Sequence, residues 1–188
     1  MSRKHRKCMP ETTYHVTSRC IERKLLMKSE EFKKLMIEVL NLALEKYDFE
    51  LIAYTIMDNH FHFCIKTTKH GHTISRIMQF IKSQFARRYN RIMKRIGPFW
   101  NERFSDTIIE MQNDPIAYFI TILLYFAYNS VRSNIVRDPR NFQFSSFRCY
   151  VDKNYISPVN ITLHEYFIKL GSTFEERVKK LLVYEEMY

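Results

Sequence analysis

The sequence is organised around one stretch, Met57-Asp58-Asn59-His60-Phe61-His62-Phe63-Cys64-Ile65-Lys66. Asp58 and Asn59 favour a turn, and the residues after them alternate between polar and apolar in the way that predicts a strand. Because successive side chains of a strand point to opposite faces, His60 and His62 share one face, and the phenylalanines share the face that suits a core. Two neighbouring imidazoles can hold one metal ion. A His-x-His pair in a half-buried strand can equally be hydrogen-bonded polar surface.

The composition is typical of one intracellular domain with a polyanionic partner. The chain has 188 residues, 46% of them hydrophobic, and Lys plus Arg exceed Asp plus Glu by 30 to 20. The resulting formal charge of +10 favours nucleic acid as the partner over charge that serves only solubility. The four cysteines form neither a CxxC pair nor a short disulfide framework, which favours a reducing compartment.

No membrane segment or leader is expected from the sequence. The start, residues 1–7, is basic but is not followed by an apolar run. The apolar run at residues 117–127 is too short to span a bilayer. We therefore expect a cytoplasmic protein.

Hydrophobic periodicity predicts the order strand, helix, strand, strand, helix, strand, helix. The expected strands cover residues 13–19, 49–56, 60–66 and 104–111, and the expected helices cover residues 29–47, 73–96, 114–132 and 174–188. The first six elements match the ferredoxin-like βαββαβ pattern, an α+β fold with a four-stranded antiparallel sheet. The third helix is an addition to that pattern. We expect one domain in residues 1–150, with residues 151–188 as a C-terminal helical extension of it.

The third predicted helix carries chemistry that complements the histidines. Tyr125 and Asn129 are four residues apart, so they share one helix face. If that face covers the histidine strand, two imidazoles, an amide oxygen and a phenol converge, a set that suits Mg²⁺ or Mn²⁺ beside a phosphate. Tyr118 is a rival for the phenol, because it lies two turns earlier on nearly the same stripe.

The second predicted helix has an apolar stripe that extends to Ile92 and Ile96 and a basic surface around it. Nothing acidic is expected to balance the five basic residues in residues 87–95, which include Arg88 and Arg95, and this favours a DNA backbone over a solvated face. The residues of this helix expected to bind DNA are Arg76, Lys82, Arg87, Arg91 and Lys94.

Five separated segments carry motifs that occur together in one protein family. They are Tyr14-His15-Val16-Thr17-Ser18-Arg19, Asp58-Asn59-His60-Phe61-His62, Phe99-Trp100-Asn101-Glu102-Arg103-Phe104, Leu124-Tyr125-Phe126-Ala127-Tyr128-Asn129-Ser130-Val131-Arg132 and Phe144-Ser145-Ser146-Phe147. On these segments the chain resembles the HUH single-tyrosine transposases, most closely the REP-associated tyrosine transposases. Ser130, Phe144 and Phe147 depart from that family's Pro, Trp and Tyr, but none of the three removes a chemical group from the expected site.

The resemblance implies roles for particular residues. His60, His62 and Asn129 would hold Mg²⁺ or Mn²⁺, and Tyr125 would attack a phosphodiester of single-stranded DNA to form a 5′-phosphotyrosine. Arg103 and Arg132, which lie in two of the matching segments, would also contact single-stranded or hairpin DNA. The family also implies a nucleoid-associated prokaryotic protein that acts as a monomer or a homodimer, with residues 1–150 as its nuclease domain.

Two other functions fit the same residues. One is a nucleic-acid binding module that keeps the fold and has lost catalysis. The other is a metal-dependent hydrolase that uses water, with Tyr125 as a bystander. A covalent protein–DNA adduct would distinguish the transposase from both.

Overall fold

The computed structural model of the protein describes residues 8–188. Four antiparallel strands form one sheet in the order β2-β3-β1-β4. The strands are β1 (Thr13–Arg19), β2 (Phe49–Ile56), β3 (His60–Thr67) and β4 (Ser105–Ile108). The helices are α1 (Glu30–Lys46), α2 (Ile74–Ile92), α3 (Pro115–Arg132), α4 (Arg148–Val151), α5 (Glu165–Ile168) and α6 (Phe174–Glu186). The predicted α+β, ferredoxin-like arrangement is confirmed.

Each face of the sheet has its own core. Phe61 and Phe63 of β3 pack with the buried sides of α1 and α2 on one face. Cys64 of the same strand packs with α3 on the other face. The alternation of β3 therefore places the histidines on the side of the sheet that α3 covers.

The helix starts follow from local sequence signals. The side chains of Ser29, Thr73 and Asp114 accept hydrogen bonds from the backbone at the first turns of α1, α2 and α3. Pro115 occupies the first position of α3, where its missing N–H costs nothing. The predicted starts of all three helices are confirmed.

Two predicted elements are shorter than expected. α2 ends at Ile92, and Lys94 has a positive φ of 48°, so the apolar stripe does not continue. Ile92 and Ile96, which were expected to continue that stripe, are 49% and 97% exposed. β4 has only 4 residues, because it pairs with β1 only from Tyr14 to Thr17 before the chain turns away.

Residues beyond Arg132 close the β2 edge of the sheet and cover α3. The Ile56 amide donates to the Phe144 carbonyl at 2.9 Å, and the Ser146 amide donates to the Tyr54 carbonyl at 3.0 Å. Leu181 of α6 is fully buried in the core cluster that contains the apolar residues of α3.

Within residues 8–188, no helix is both long and apolar enough to cross a membrane. The basic residues 1–7, on which the prediction of no leader partly rests, lie outside the described residues.

Candidate active site

The turn before β3 is fixed by contacts on both of its residues. Asp58 accepts an ion-paired hydrogen bond from Lys33 Nζ at 2.7 Å, and Lys33 is only 4% exposed. The Asn59 amide nitrogen donates to the Arg23 carbonyl at 2.9 Å, and the Asn59 carbonyl accepts from the Cys20 amide at 2.8 Å. These contacts therefore fix the position at which β3 begins.

Asn59 also determines the tautomer of His60. His60 Nδ1 lies 2.7 Å from Asn59 Oδ1. Because the nitrogen of that amide is already donating to Arg23, the oxygen is the acceptor and His60 Nδ1 must be the donor. His60 Nε2 therefore carries a lone pair. Burial lowers the pKa of His60 to about 4, the positive charge of Arg19 adds to this, and a side-chain hydrogen bond to Asn129 opposes it.

His62 is buried beneath α3 with one ring nitrogen unpartnered. Its Nδ1 lies 3.0 Å from His15 Nε2. The residue is shielded from solvent and only 6% exposed. Nε2 has no hydrogen-bond partner among the described residues. Burial is the largest cause that holds the pKa of His62 well below its ordinary value, and charge on His15 or His60 would lower it further. A neutral imidazole with a free Nε2 is the form that binds metal.

α3 brings Asn129 to the same place. The Asn129 amide nitrogen donates to the Tyr125 carbonyl at 3.0 Å, and the residue is 8% exposed. The side-chain amide oxygen of Asn129 is therefore available as an acceptor, and the Asn129 side chain interacts with His60. His60 thus lies next to both Asn129 and His62, whose ring centroid is 5.0 Å from that of His60. Among residues 8–188 no three His, Cys, Asp or Glu side chains are grouped so that they could hold a metal ion.

Tyr125 lies beside this group of acceptors. Its ring centroid is 5.1 Å from that of His62, with the two planes at 82°. The guanidinium carbon of Arg132 lies 6.0 Å from the Tyr125 ring centroid. Both tyrosines pack against the α3 core cluster, but within the described part of the chain Tyr118 has no ring contact with a histidine. The geometry favours Tyr125 over Tyr118.

Sequence reasoning missed the contact of His15 with His62. His15 lies diagonally across from His62, since Thr17 is the direct partner of His62 in the β1–β3 register. Burial lowers the pKa of His15 to about 4, so it too is neutral. The available signal was the alternation of β1, which puts His15 and Thr17 on the histidine face and Tyr14 and Val16 on the other.

The predicted DNA-binding residues fall into two groups. The α2 residues lie on the side of the sheet opposite the histidines, because α2 packs against the Phe61 and Phe63 face. Arg132 lies at the end of α3 beside Tyr125. Six of the predicted DNA-binding residues are exposed and form no ion pair with any of residues 8–188: Arg76, Arg87, Arg91, Lys94, Arg103 and Arg132.

The expectation that nothing acidic balances the basic segment of α2 was wrong at Arg88. Its guanidinium pairs with Glu38 of α1 at 3.6 Å, a partner distant in sequence that the packing of α1 against α2 supplies. Arg95 hydrogen-bonds to the Pro98 carbonyl at 2.8 Å. Lys82 donates to the Glu102 carbonyl at 2.6 Å and lies over the Trp100 ring.

The sequence matches the model of a known family. A sequence model described as "Transposase IS200 like" matches residues 8–119, well over half of the chain. The chain belongs to the IS200-like transposase family. This family of transposases consists of DNA-processing enzymes. In this IS200-like transposase the match includes His60 and His62 and ends before Tyr125 and Asn129.

One solved structure shares the fold of this IS200-like transposase. A REP-associated tyrosine transposase bound to a REP hairpin has a TM-score of 0.65 at 18% identity, covering 86% of this chain and 92% of its own. A candidate transposase from Deinococcus radiodurans has a TM-score of 0.43 at 17% identity, covering 66% of this chain and 96% of its own. Among curated proteins, none matches the chain.

Proposed function

We propose that this IS200-like transposase cuts and rejoins single-stranded DNA through a covalent 5′-phosphotyrosine at Tyr125. The observation that carries the proposal is the unpartnered, buried Nε2 of His62 beside the Tyr125 ring, with Asn129 and His60 completing the group. Stability of the fold does not require a phenol, two neutral imidazoles and an amide oxygen to be grouped at this position.

The ligands of a divalent cation would be His60 Nε2, His62 Nε2 and Asn129 Oδ1. This donor set suits Mg²⁺ or Mn²⁺, whose remaining positions water and phosphate oxygens can fill. A bound cation would supply Lewis-acid polarisation of a phosphate oxygen. The chain prepares the site by holding both imidazoles neutral through burial and by orienting each through its Nδ1.

Tyr125 supplies the nucleophile in this proposal. Its phenolic oxygen forms a bond to phosphorus, and the bond from phosphorus to the 3′ oxygen breaks. The phenol gives up one proton and the departing 3′ oxygen takes up one, so the proton count balances. Attack by a 3′-hydroxyl on the phosphotyrosine reverses the step and rejoins the strand without an external energy source. Arg132, 6.0 Å from the Tyr125 ring, is placed to attract the phosphate.

The partner we propose is single-stranded or hairpin DNA. The formal charge of +10 supports a polyanion, and the structural relative that shares the fold is bound to a REP hairpin. We further infer that residues 1–150 form the nuclease domain and that residues 151–188 are an extension of it, which the burial of Leu181 against the α3 core supports.

The test is cleavage of single-stranded oligonucleotides from repeats that flank the gene, with Mg²⁺ or Mn²⁺ present. The proposal expects a cut strand and a protein–DNA adduct that survives denaturing electrophoresis. Cleavage without an adduct would favour a hydrolase that uses water. Binding without cleavage would favour the nucleic-acid binding module.

A further inference from the structure

A cationic groove lies on the face of the sheet opposite Tyr125. It runs between α2 and the segment Trp100 to Phe104 and has a volume of about 690 Å³. Its walls combine the basic side chains of Arg76, Lys82 and Arg103 with the apolar surface of the half-buried Ala86 and Trp100. Phosphates suit the basic groups, and the sugar and base of a nucleotide suit the apolar wall.

The charge of the groove is not neutralised from within. Glu102 is the only acidic residue among the described residues that line it. The side chains of Arg76 and Arg103 are exposed and form no ion pair with any of residues 8–188. Lys82 is held in place by its hydrogen bond to the Glu102 carbonyl, so one cation of the groove is already positioned. A groove with three cations, one anion and an apolar wall complements a polyanion that carries flat apolar groups.

The groove is connected to the active site through the backbone. The Asn101 amide donates to the Arg19 carbonyl at 3.0 Å, and Trp100 forms a bridge with Cys20. Arg19 is the direct partner of His60 in the β1–β3 register. The segment that forms one wall of the groove therefore adjoins the end of β1 next to His60. Arg19 is exposed and lies beside His60 at this end of β1, where its charge is available to a phosphate of a strand that leads toward the groove.

We propose that a single-stranded DNA segment next to the scissile phosphate passes over Arg19 and binds in the groove between α2 and Trp100–Phe104. This inference rests on the proposed function for the identity of the strand. It adds a second DNA contact, on the opposite face of the sheet, that holds the substrate independently of the chemistry at Tyr125.

Trp100 makes the groove directly observable, since it is the only tryptophan of the chain. The binding experiment uses the full-length Tyr125→Phe protein, which removes the nucleophile, and a fluorescein-labelled dT12 oligonucleotide. Anisotropy of the label reports affinity, and Trp100 emission, measured with unlabelled dT12, reports occupancy of the groove. The test variant is Arg76→Ser with Arg103→Ser. The control with the same charge loss is Lys179→Ser with Lys180→Ser, two exposed residues of α6.

The inference expects dT12 to change Trp100 emission at saturation. It also expects the groove variant to bind on the order of tenfold more weakly than the control, with a log–log salt slope smaller by about 1.4 for two lost phosphate contacts. Absence of dT12 binding, binding without a change in Trp100 emission, or equal affinities of groove variant and control would each overturn it.

Failure of the groove and failure of the proposed function are distinguishable. If the protein with Tyr125 intact forms an adduct but Trp100 emission does not respond to dT12, the proposed groove is wrong and the proposed nuclease activity stands. A responsive Trp100 with a weakened groove variant, but no adduct, rejects the nuclease and keeps the groove as a DNA-binding site.

Discussion

The contact between His15 and His62 gives the most informative single substitution, His15→Phe. His15 Nε2 lies 3.0 Å from His62 Nδ1 and, in the metal-binding tautomer, accepts the proton that His62 carries there. Phenylalanine keeps a ring of similar size next to Phe126, whose centroid is 5.2 Å from that of His15. The substitution removes the nitrogen that accepts the hydrogen bond from His62 Nδ1. We therefore expect the fold to persist and His62 to lose the group that orients it toward a cation.

The expected magnitude follows from the position of His15 behind a ligand. Loss of a hydrogen-bond partner behind a metal-ligating histidine typically weakens metal binding about 10–100-fold, or about 1.4–2.7 kcal/mol. The fold itself loses one buried hydrogen bond, about 1 kcal/mol. The effect on metal affinity should thus exceed the effect on the stability of the metal-free protein.

The assay is Mn²⁺ titration followed by electron paramagnetic resonance, with thermal unfolding measured in the absence of metal. His15→Gln is the rescue variant, because its amide oxygen can accept from His62 Nδ1 and should recover part of the affinity. His70→Gln is the matched control at an exposed histidine. Mn²⁺ binding by His15→Phe with wild-type affinity would refute the reasoning. A loss of thermal stability without a loss of affinity would make His15 merely structural.

Three further predictions follow from the site and its surroundings. His60→Ala should abolish cleavage in Mg²⁺ while changing the melting temperature little, since His60 is half-buried; normal cutting in a gel assay would remove it from the site. Arg87→Ala with Arg91→Ala and Lys94→Ala should flatten the salt dependence of DNA affinity by about 2 in log–log slope, and an unchanged slope would place the DNA away from the exposed face of α2. Burial holds the pKa of His164 at about 4, below its ordinary 6.5, so its contribution is complete above about pH 6.5 and is lost as the pH falls toward 4. Urea unfolding at pH 7 and pH 4 should show a loss that is about 3 kcal/mol smaller in His164→Gln than in the wild type; equal losses would contradict it.

Local sequence signals were enough to locate the elements that carry the site. Alternation put both histidines on one face of β3, and the cap at Asp114 with Pro115 fixed where α3 begins. The spacing of Tyr125 and Asn129 then placed both on one face of α3. These signals depend on residues close together in the sequence, so they can be recognised without knowledge of the tertiary structure.

The features that sequence reasoning missed depend on contacts between distant segments. The His15–His62 hydrogen bond requires the register between β1 and β3, and the Arg88–Glu38 pair requires the packing of α1 on α2. Helical periodicity also predicted a longer α2, because Ile96 fits the apolar pattern. The positive φ of Lys94 ends the helix before Ile96. The groove beside Trp100 depends on where residues 100–104 return to α2.

The most direct measurement is the identity of the residue that becomes attached to DNA. The wild-type protein, Tyr125→Phe and Tyr118→Phe would each be incubated with a cleavable single strand and Mg²⁺, then digested with protease and nuclease for peptide mass spectrometry. The account predicts a nucleotide on Tyr125 in the wild type and in Tyr118→Phe, and none in Tyr125→Phe. A nucleotide on Tyr118, or an adduct that persists in Tyr125→Phe, would contradict it.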